Sequence, residues 1–105
     1  MAAPRPTATI RLAERAQRDL RGLPTPQLRR IRNATEALAR GEANLDVRPL
    51  SGRPSWLRLR VGDYRLLYRP LSEDELATLP ERPHAGYLVA RVVNRRELER
   101  AIATL

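Results

Sequence analysis

The stretch that decides the fold is Trp56–Pro70, which reads WLRLRVGDYRLLYRP. On both sides of Gly62 and Asp63, apolar and basic residues alternate with a period of two, which is typical of β-strands with one buried face. A Gly-Asp pair between two such runs predicts a two-residue turn of type II′, in which Gly62 adopts a positive φ. The sequence therefore predicts an antiparallel hairpin at the centre of the fold.

The turn also fixes the register of this hairpin, and the register determines which side chains share a face. Pairing Val61 with Tyr64 places Arg60 opposite Arg65. The basic face then comprises Trp56, Arg58, Arg60, Arg65, Leu67 and Arg69. The apolar face comprises Leu57, Leu59, Val61, Tyr64, Leu66 and Tyr68. Like charges that face each other across two strands are destabilising, so the basic face is either a solvated surface or a site for an anion.

The chain before the hairpin predicts a strand and two helices. Residues 7–12 alternate as a short strand, and the first helix ends at Pro24. Its apolar side carries Ala13, Ala16, Leu20 and Leu23, and its outward side carries Arg15, Arg18, Asp19 and Arg21. The second helix begins at Thr25 as N-cap, with Pro26 at its first position, and Gly41 suits the left-handed position just past its end. Its buried stripe comprises Leu28, Ile31, Thr35 and Leu38.

The chain after the hairpin predicts one more strand and a final helix. Residues 42–55 and 71–85 are expected to be connections, the second containing a capping box formed by Ser72 and Glu75. Residues 86–94 predict a strand in which strict alternation puts Tyr87, Arg91 and Arg95 on one side. Arg91 and Arg95 are therefore expected to join the basic face. Asn94 is the predicted N-cap of a helix that begins at 95 or 96 and ends at Leu105.

Together these elements predict a single α+β domain over residues 1–105. An N-terminal strand and a helical hairpin pack on a small, mainly antiparallel sheet of about four strands, and a helix ends the chain. Residues 1–6 are expected to form a loose N-terminal arm.

The composition points to an anionic partner. The chain has 105 residues, and all 20 basic residues are arginine, which against 12 acids leaves a net charge of +8. Guanidinium grips phosphate or carboxylate with parallel donors, so either nucleic acid or an acidic protein fits. Cysteine is absent and His84 is the only histidine, which excludes disulfides, cysteine-based zinc sites and two-histidine sites. We expect a cytoplasmic protein with no cofactor, no metal and no membrane partner.

Two longer stretches carry a resemblance to a known family. Residues 47–70 read VRPLSGRPSWLRLRVGDYRLLYRP and residues 89–98 read VARVVNRREL. With the order of the predicted elements, they resemble the RelE/ParE toxin superfamily of bacterial toxin-antitoxin systems over nearly the whole chain. The resemblance implies a toxin that arrests growth and is silenced by a cognate acidic antitoxin, and that contacts operator DNA only within the antitoxin complex.

The superfamily has two branches with different targets. The RelE-like branch cuts mRNA in the ribosomal decoding site, and the ParE-like branch inhibits DNA gyrase without nuclease activity. The resemblance matches four arginines to the basic catalytic positions of RelE-like nucleases, namely Arg58, Arg60, Arg65 and Arg95. RelE-like proteins often have a tyrosine where this chain has Glu99. The four arginines favour the endoribonuclease; Glu99 favours a ParE-like inhibitor or a non-toxic relative that binds only its antitoxin.

The chemistry of RNA cleavage suits such a basic face. The 2′-hydroxyl beside each phosphate is a built-in nucleophile, and fixed donors stabilise the charge that develops on the phosphate. Arginine cannot be the general base because its pKa exceeds about 12, which leaves Glu99, Asp63 and His84 as candidates. Trp56 is expected to stack on a base or else to pack in the core or against the antitoxin. The predicted RNA-binding residues are Trp56, Arg69 and Arg91.

Overall fold

The computed structural model describes residues 7–105, so the predicted N-terminal arm lies outside the described residues. The strands are β1 (Thr9–Leu12), β2 (Val47–Pro49), β3 (Leu57–Val61), β4 (Tyr64–Pro70) and β5 (Gly86–Asn94). The helices are α1 (Glu14–Arg21), α2 (Thr25–Ala39), α3 (Glu73–Ala77) and α4 (Leu98–Ile102), the last preceded by a 3₁₀ turn over Arg95–Glu97. None of the described helices is long and apolar enough to cross a membrane.

The strands form one sheet in the order β1-β5-β4-β3-β2, in which β1 runs parallel to β5 and the other neighbours are antiparallel. The α+β class is confirmed, with five strands. The additional strand, β2, lies within residues 42–55, which were wrongly predicted to be a loop throughout. Three residues are too few to show a period, and Pro49 cannot donate to a ladder, which is tolerated at the edge of a sheet.

The predicted hairpin register is confirmed, since Val61 pairs with Tyr64 and Arg60 with Arg65. Gly62 has φ +59° and Asp63 does not have positive φ, which agrees with the type II′ turn and excludes type I′. The register buries the apolar face of the hairpin against α1 and α2. The main core comprises Ala16, Ile31, Leu38, Leu59, Leu66, Tyr68, Val89 and Val92.

Tyr68 is the largest of the fully buried side chains in this core. Its ring meets that of Tyr87 edge-on, with centroids 5.4 Å apart. Burial, and to a lesser extent Tyr87, raises the pKa of Tyr68 to about 12.

The helix ends follow the predicted signals in part. The positive φ of Gly41, +73°, ends α2 as predicted, although the N-cap is Pro24 rather than Thr25. The capping box of Ser72 and Glu75 is confirmed at α3. Asn94 caps the last helical segment by accepting the N–H of Arg96 at 3.0 Å. That segment is shorter than predicted, because the 3₁₀ turn occupies its first residues and α4 ends at Ile102.

The opposite face of the sheet is partly covered by a second core. Its buried members are Leu50, Leu67, Val93 and Ala101, with Trp56, Leu98, Ile102 and Leu105 packed around them. The last helical segment therefore lies on the same face as the arginines of β3 and β4. The basic face is flanked by apolar packing, and its arginines are held on a rigid support.

A β-bulge in β5 overturns the predicted alternation of that strand. Leu67 pairs with Arg91 but Tyr68 pairs with Val89, so Ala90 has no partner. One extra residue reverses the face of every side chain that follows it. Tyr87 and Val89 consequently pack with Val92 in the main core, and Tyr87 does not share a side with Arg91.

Asp19 of α1 was predicted to face solvent, and this was wrong. Its Oδ2 accepts the backbone N–H of Val92 at 2.9 Å, just beyond the part of β5 that pairs with β1. Asp19 also accepts two hydrogen bonds from Arg91, at 2.9 and 3.3 Å. Beyond the end of β1, the side chain of Asp19 in α1 therefore provides the hydrogen-bond acceptor at the edge of β5.

Replacing Gly62 with Val is expected to disturb the hairpin. A Cβ at this position would lie 3.2 Å from Nη2 of Arg30, and positive φ costs a β-branched residue about 1–3 kcal/mol. The melting temperature should fall by several degrees, and Arg60 and Arg65 should be misplaced although neither is mutated. Gly62→Asn is the matched control, because asparagine also adds a Cβ but tolerates this conformation. Unchanged stability in Gly62→Val would contradict the assigned turn.

Candidate functional site

The candidate site is an arginine cluster, which we define as Arg58, Arg60, Arg65 and Arg95. Three of these residues lie on β3 and β4, where the register puts Arg60 directly opposite Arg65. Arg95 begins the 3₁₀ turn after β5. Arg60, Arg65 and Arg95 therefore lie close to the hairpin turn, and Arg58 lies two residues before Arg60 on the same face of β3.

The electrostatics of Arg65 show that the four charges are close together. Partial burial lowers the pKa of Arg65, and the charges of Arg60, Arg58 and Arg95 lower it further. The guanidinium of Arg65 is held in place by two hydrogen bonds of 2.9 Å, which its Nη1 donates to the carbonyl oxygens of Gly62 and Tyr64. Arg65 is thus a fixed cation in a field of three others.

Arg95 is anchored to the turn through its backbone. Its N–H donates to the carbonyl oxygen of Asp63 at 2.7 Å. Its side chain lies loosely beside the Asp63 carboxylate, with 3.8 Å between Nε and Oδ1, and the two side chains are 66% and 73% exposed. Exposed ion pairs of this kind contribute little to stability. A phosphate can therefore replace the Asp63 carboxylate beside Arg95 at a small cost in free energy.

Two arginines of the cluster, Arg58 and Arg95, form ion pairs, and Arg58 is the more enclosed of the two. Its side chain is 17% exposed, and its Nη1 lies 3.7 Å from Oδ1 of Asp46. That Nη1 is buried and has no hydrogen-bond partner among residues 7–105. A buried donor without a partner is costly, and the nearby carboxylate of Asp46 offsets that cost only in part.

Two charged residues beside the cluster were missed by the sequence analysis. Asp46 precedes β2, and Arg48 on β2 pairs with Arg58 across the strands. Both were assigned to a loop and given no face. No local pattern identifies them, because three residues are too few to show a period and Pro49 is compatible with a loop as well as with an edge strand.

The predicted RNA-binding residues Arg69 and Trp56 lie apart from the cluster, with Arg69 near the other end of β4. Arg69 forms two hydrogen bonds with Glu75, at 2.8 and 3.0 Å, and its Cζ lies 5.8 Å from the centroid of the Trp56 ring. The hydrogen bonds from Arg69, followed by that from the backbone of Ser72, lower the pKa of Glu75 to about 2. Trp56 itself packs against the second core.

The third predicted RNA-binding residue, Arg91, is also engaged within the chain. It pairs with Asp19, and the two side chains are 11% and 17% exposed. A further hydrogen bond of 3.4 Å reaches Oγ1 of Thr104. The guanidinium of Arg91 is therefore committed to holding α1 against β5.

The three candidate bases are placed very differently. Asp63 lies in the hairpin turn beside Arg95. His84 precedes the far end of β5, a strand of nine residues, so roughly 30 Å of extended chain separates it from Arg95. Glu99 is exposed on α4, and within residues 7–105 no ion pair joins it to the cluster. Geometry leaves Asp63 as the one of the three that lies at the cluster.

This arrangement is chemically suited to a phosphodiester. Three of these permanently protonated groups lie on β3 and β4 and the fourth on the turn after β5, and they repel one another. A phosphate bound among them would relieve that repulsion and accept charge-assisted hydrogen bonds. Donors fixed in advance also stabilise charge that develops during reaction. Among the described residues, no group of three or more His, Asp and Glu side chains is placed to hold a metal ion.

Comparisons with known proteins agree with this fold. The family model described as "ParE toxin of type II toxin-antitoxin system, parDE" matches residues 10–98. No curated protein sequence matches the chain significantly.

Three solved structures are similar. The RelBE2 toxin-antitoxin complex of Mycobacterium tuberculosis has 28% identity and TM-score 0.62, covering 85% of this chain and 99% of the other. The RelB-RelE complex of Methanococcus jannaschii has 20% identity and TM-score 0.63, covering 86% and 95%. The RelE-RelB complex of Pyrococcus horikoshii OT3 has 21% identity and TM-score 0.61, covering 85% and 96%. At 20% and 21% identity the last two show the fold alone.

The family model, together with a fold shared with RelE-RelB structures, shows that the chain belongs to the RelE/ParE toxin superfamily. Since the family model covers most of the chain, the protein belongs to the ParE toxin family within that superfamily and is the toxin of a type II toxin-antitoxin system. The resemblance seen in the sequence is thereby confirmed.

Proposed function

We propose that this toxin is a ribosome-dependent mRNA endonuclease that inhibits translation. The observation that carries the proposal is the arginine cluster, in which Arg60 and Arg65 pair across β3 and β4 and the backbone of Arg95 is anchored to the turn between these strands. Attack of the 2′-hydroxyl on the adjacent phosphorus would leave a 2′,3′-cyclic phosphate and a 5′-hydroxyl. The cluster stabilises the transition state of this reaction, and each fixed donor is worth about 10²–10³ in rate.

A second candidate function, inhibition of DNA gyrase without nuclease activity, is favoured by the ParE family model. Glu99, at the position where RelE-like nucleases often have a tyrosine, favours it as well. An inhibitor that only binds protein has no need to place Arg58, Arg60 and Arg65 on one face of the sheet, with Arg95 anchored to their hairpin turn. This grouping of arginines is why we place the nuclease first.

The two functions separate in a purified system. The toxin is added to ribosomes translating a defined mRNA and, in parallel, to gyrase supercoiling relaxed plasmid DNA. The nuclease predicts mRNA cleaved only when it is ribosome-bound, and unchanged supercoiling. Intact mRNA together with blocked supercoiling would replace the proposal with the second candidate.

We further propose that the partner that silences the toxin is a cognate acidic antitoxin. Its acidic segment would lie over the arginine cluster and block or displace α4. The net charge of +8 supports an acidic partner, and the similar solved structures are complexes of toxins with antitoxins. Ribosome and mRNA are the proposed targets, and operator DNA would be contacted only within the antitoxin complex.

Antitoxin binding is expected to weaken as salt rises, because the Debye length falls from ~10 Å at about 0.1 M to ~3 Å at about 1 M. Titration calorimetry across that range measures the effect. The control variant is Leu12→Asp. Leu12 is 36% exposed and lines a largely apolar groove of about 320 Å³ between β1, α1 and α2. A salt-insensitive complex that Leu12→Asp abolishes would contradict the proposed docking on the cluster.

A further inference from the structure

Asp46 lies on the cluster face of the sheet by register. Arg48 pairs with Arg58, and the N–H of Arg60 donates to the carbonyl oxygen of Asp46 at 3.0 Å. The ladder between β2 and β3 therefore continues one step beyond the last strand pair, which places Asp46 opposite Arg60. Paired residues point to the same face, so the Asp46 side chain joins the row of Arg60 and Arg65.

The Asp46 carboxylate acts on the cluster as a whole. Its Oδ1 is 3.7 Å from Nη1 of Arg58, and its charge opposes the three arginines that lower the pKa of Arg65. It is a negative group at the β2 end of the row, and Arg95 is at the other end. Such a row has one end that favours phosphate and one end that favours a hydrogen-bond donor.

The carboxylate is also available to a ligand. Its side chain is 45% exposed, and no group among residues 7–105 donates a hydrogen bond to it. Asp19 and Glu75, by contrast, each accept hydrogen bonds from a guanidinium and from the backbone. The Asp46 carboxylate therefore lies beside the cations of the cluster and is open to an incoming donor.

We infer that Asp46 accepts the 2′-hydroxyl of the nucleotide whose phosphate lies in the arginine cluster, and takes its proton during cleavage. This inference rests on the proposed nuclease function. The proton of O2′ passes to the carboxylate while the bond from O2′ to phosphorus forms. The bond from phosphorus to O5′ breaks, and O5′ leaves with the electron pair and takes a proton from water. Asp46 thereby also distinguishes ribose from deoxyribose, which lacks the donor.

Asp46 fits this role better than Asp63, the base candidate that the sequence suggested. Asp63 is 73% exposed and lies beside Arg95, at the end of the row assigned to phosphate. Its backbone oxygen holds Arg95, which is a structural task in the turn. A second carboxylate beside the phosphate would compete with it for Arg95.

The test is Asp46→Asn on ribosomes programmed with mRNA. Loss of a general base typically costs ~10²–10⁴ in rate, so kcat should fall by that factor with little change in KM. Asp46→Glu keeps the carboxylate and should retain most of the activity. Asp74→Asn, the same substitution on the exposed first turn of α3, is the matched control and should cleave as the wild type does.

A second readout separates chemistry from structure. An mRNA with a single 2′-deoxynucleotide at the cleavage site cannot be cut. Ribosomes that carry this mRNA therefore measure toxin binding alone. Asp46→Asn should bind this complex at least as tightly as the wild type. If binding falls together with cleavage, Asp46 merely holds the cluster in place and the inference is overturned.

The remaining outcomes are also decisive. Undiminished cleavage by Asp46→Asn overturns the inference alone, and so does loss of cleavage in Asp63→Asn with Asp46→Asn unaffected. A wild-type toxin that leaves ribosome-bound mRNA intact overturns the proposed function and this inference together.

Discussion

Replacing Arg65 or Arg95 with Ala is expected to abolish growth arrest and ribosome-dependent mRNA cleavage. Each guanidinium is a positioned donor for the phosphate, and losing one such donor costs about 10²–10³ in rate. Arg65→Lys keeps the charge but loses the planar pair of donors, so an intermediate rate is expected. Single-turnover cleavage on programmed ribosomes measures all three variants.

The two Ala variants differ in what else they remove. Arg65 also donates to the carbonyl oxygens of Gly62 and Tyr64, and each lost bond costs ~1 kcal/mol. The Arg95 side chain is 66% exposed and makes only the loose contact with Asp63, so Arg95→Ala should keep its fold. Arg96→Ala, at the exposed neighbouring position, is the matched control. If Arg95→Ala cleaves mRNA as fast as the wild type does, the arginine cluster does not take part in cleavage.

Replacing Asp19 with Ala is expected to cost more stability than any change within the arginine cluster. Arg91 would be left as an enclosed cation without its partner, and the N–H of Val92 would lose its acceptor. Breaking such a pair typically costs about 3–5 kcal/mol. For a chain of this size the melting temperature should fall by more than about 10 °C.

The double variant Asp19→Ala with Arg91→Ala isolates the pair. Removing both partners leaves no unpaired charge, so the double variant should be more stable than Asp19→Ala alone. Urea unfolding of the four proteins gives the coupling between the two positions. If the two single effects add, the ion pair does not hold α1 to β5, and Arg91 returns as a candidate for RNA binding.

The part of the fold that sequence predicted well depends on short-range geometry. The turn at Gly62 and Asp63 fixes the pairing of Arg60 with Arg65, and the period of two separates apolar from basic side chains. The convergence of Arg58, Arg60 and Arg65 on one face follows directly from that register. These features require only neighbours along two adjacent strands.

What the sequence did not reveal depends on longer-range contacts. The bulge at Ala90 carries no glycine or other local signal, yet it moves Tyr87 to the opposite side from Arg91. Asp19 looks solvent-facing by helical periodicity, which takes no account of the open edge of β5. Asp46 gains its position only because a three-residue strand, β2, adds to the sheet.

The most direct test of the proposed nuclease activity is to map RNA 5′ ends in cells that express the wild-type toxin, Arg65→Ala or Arg95→Ala. The wild type should create new 5′-hydroxyl ends within translated messages as growth stops, and both Ala variants should create none. Growth arrest by the wild type without new ends, accompanied by DNA damage, would contradict the nuclease and identify a gyrase inhibitor.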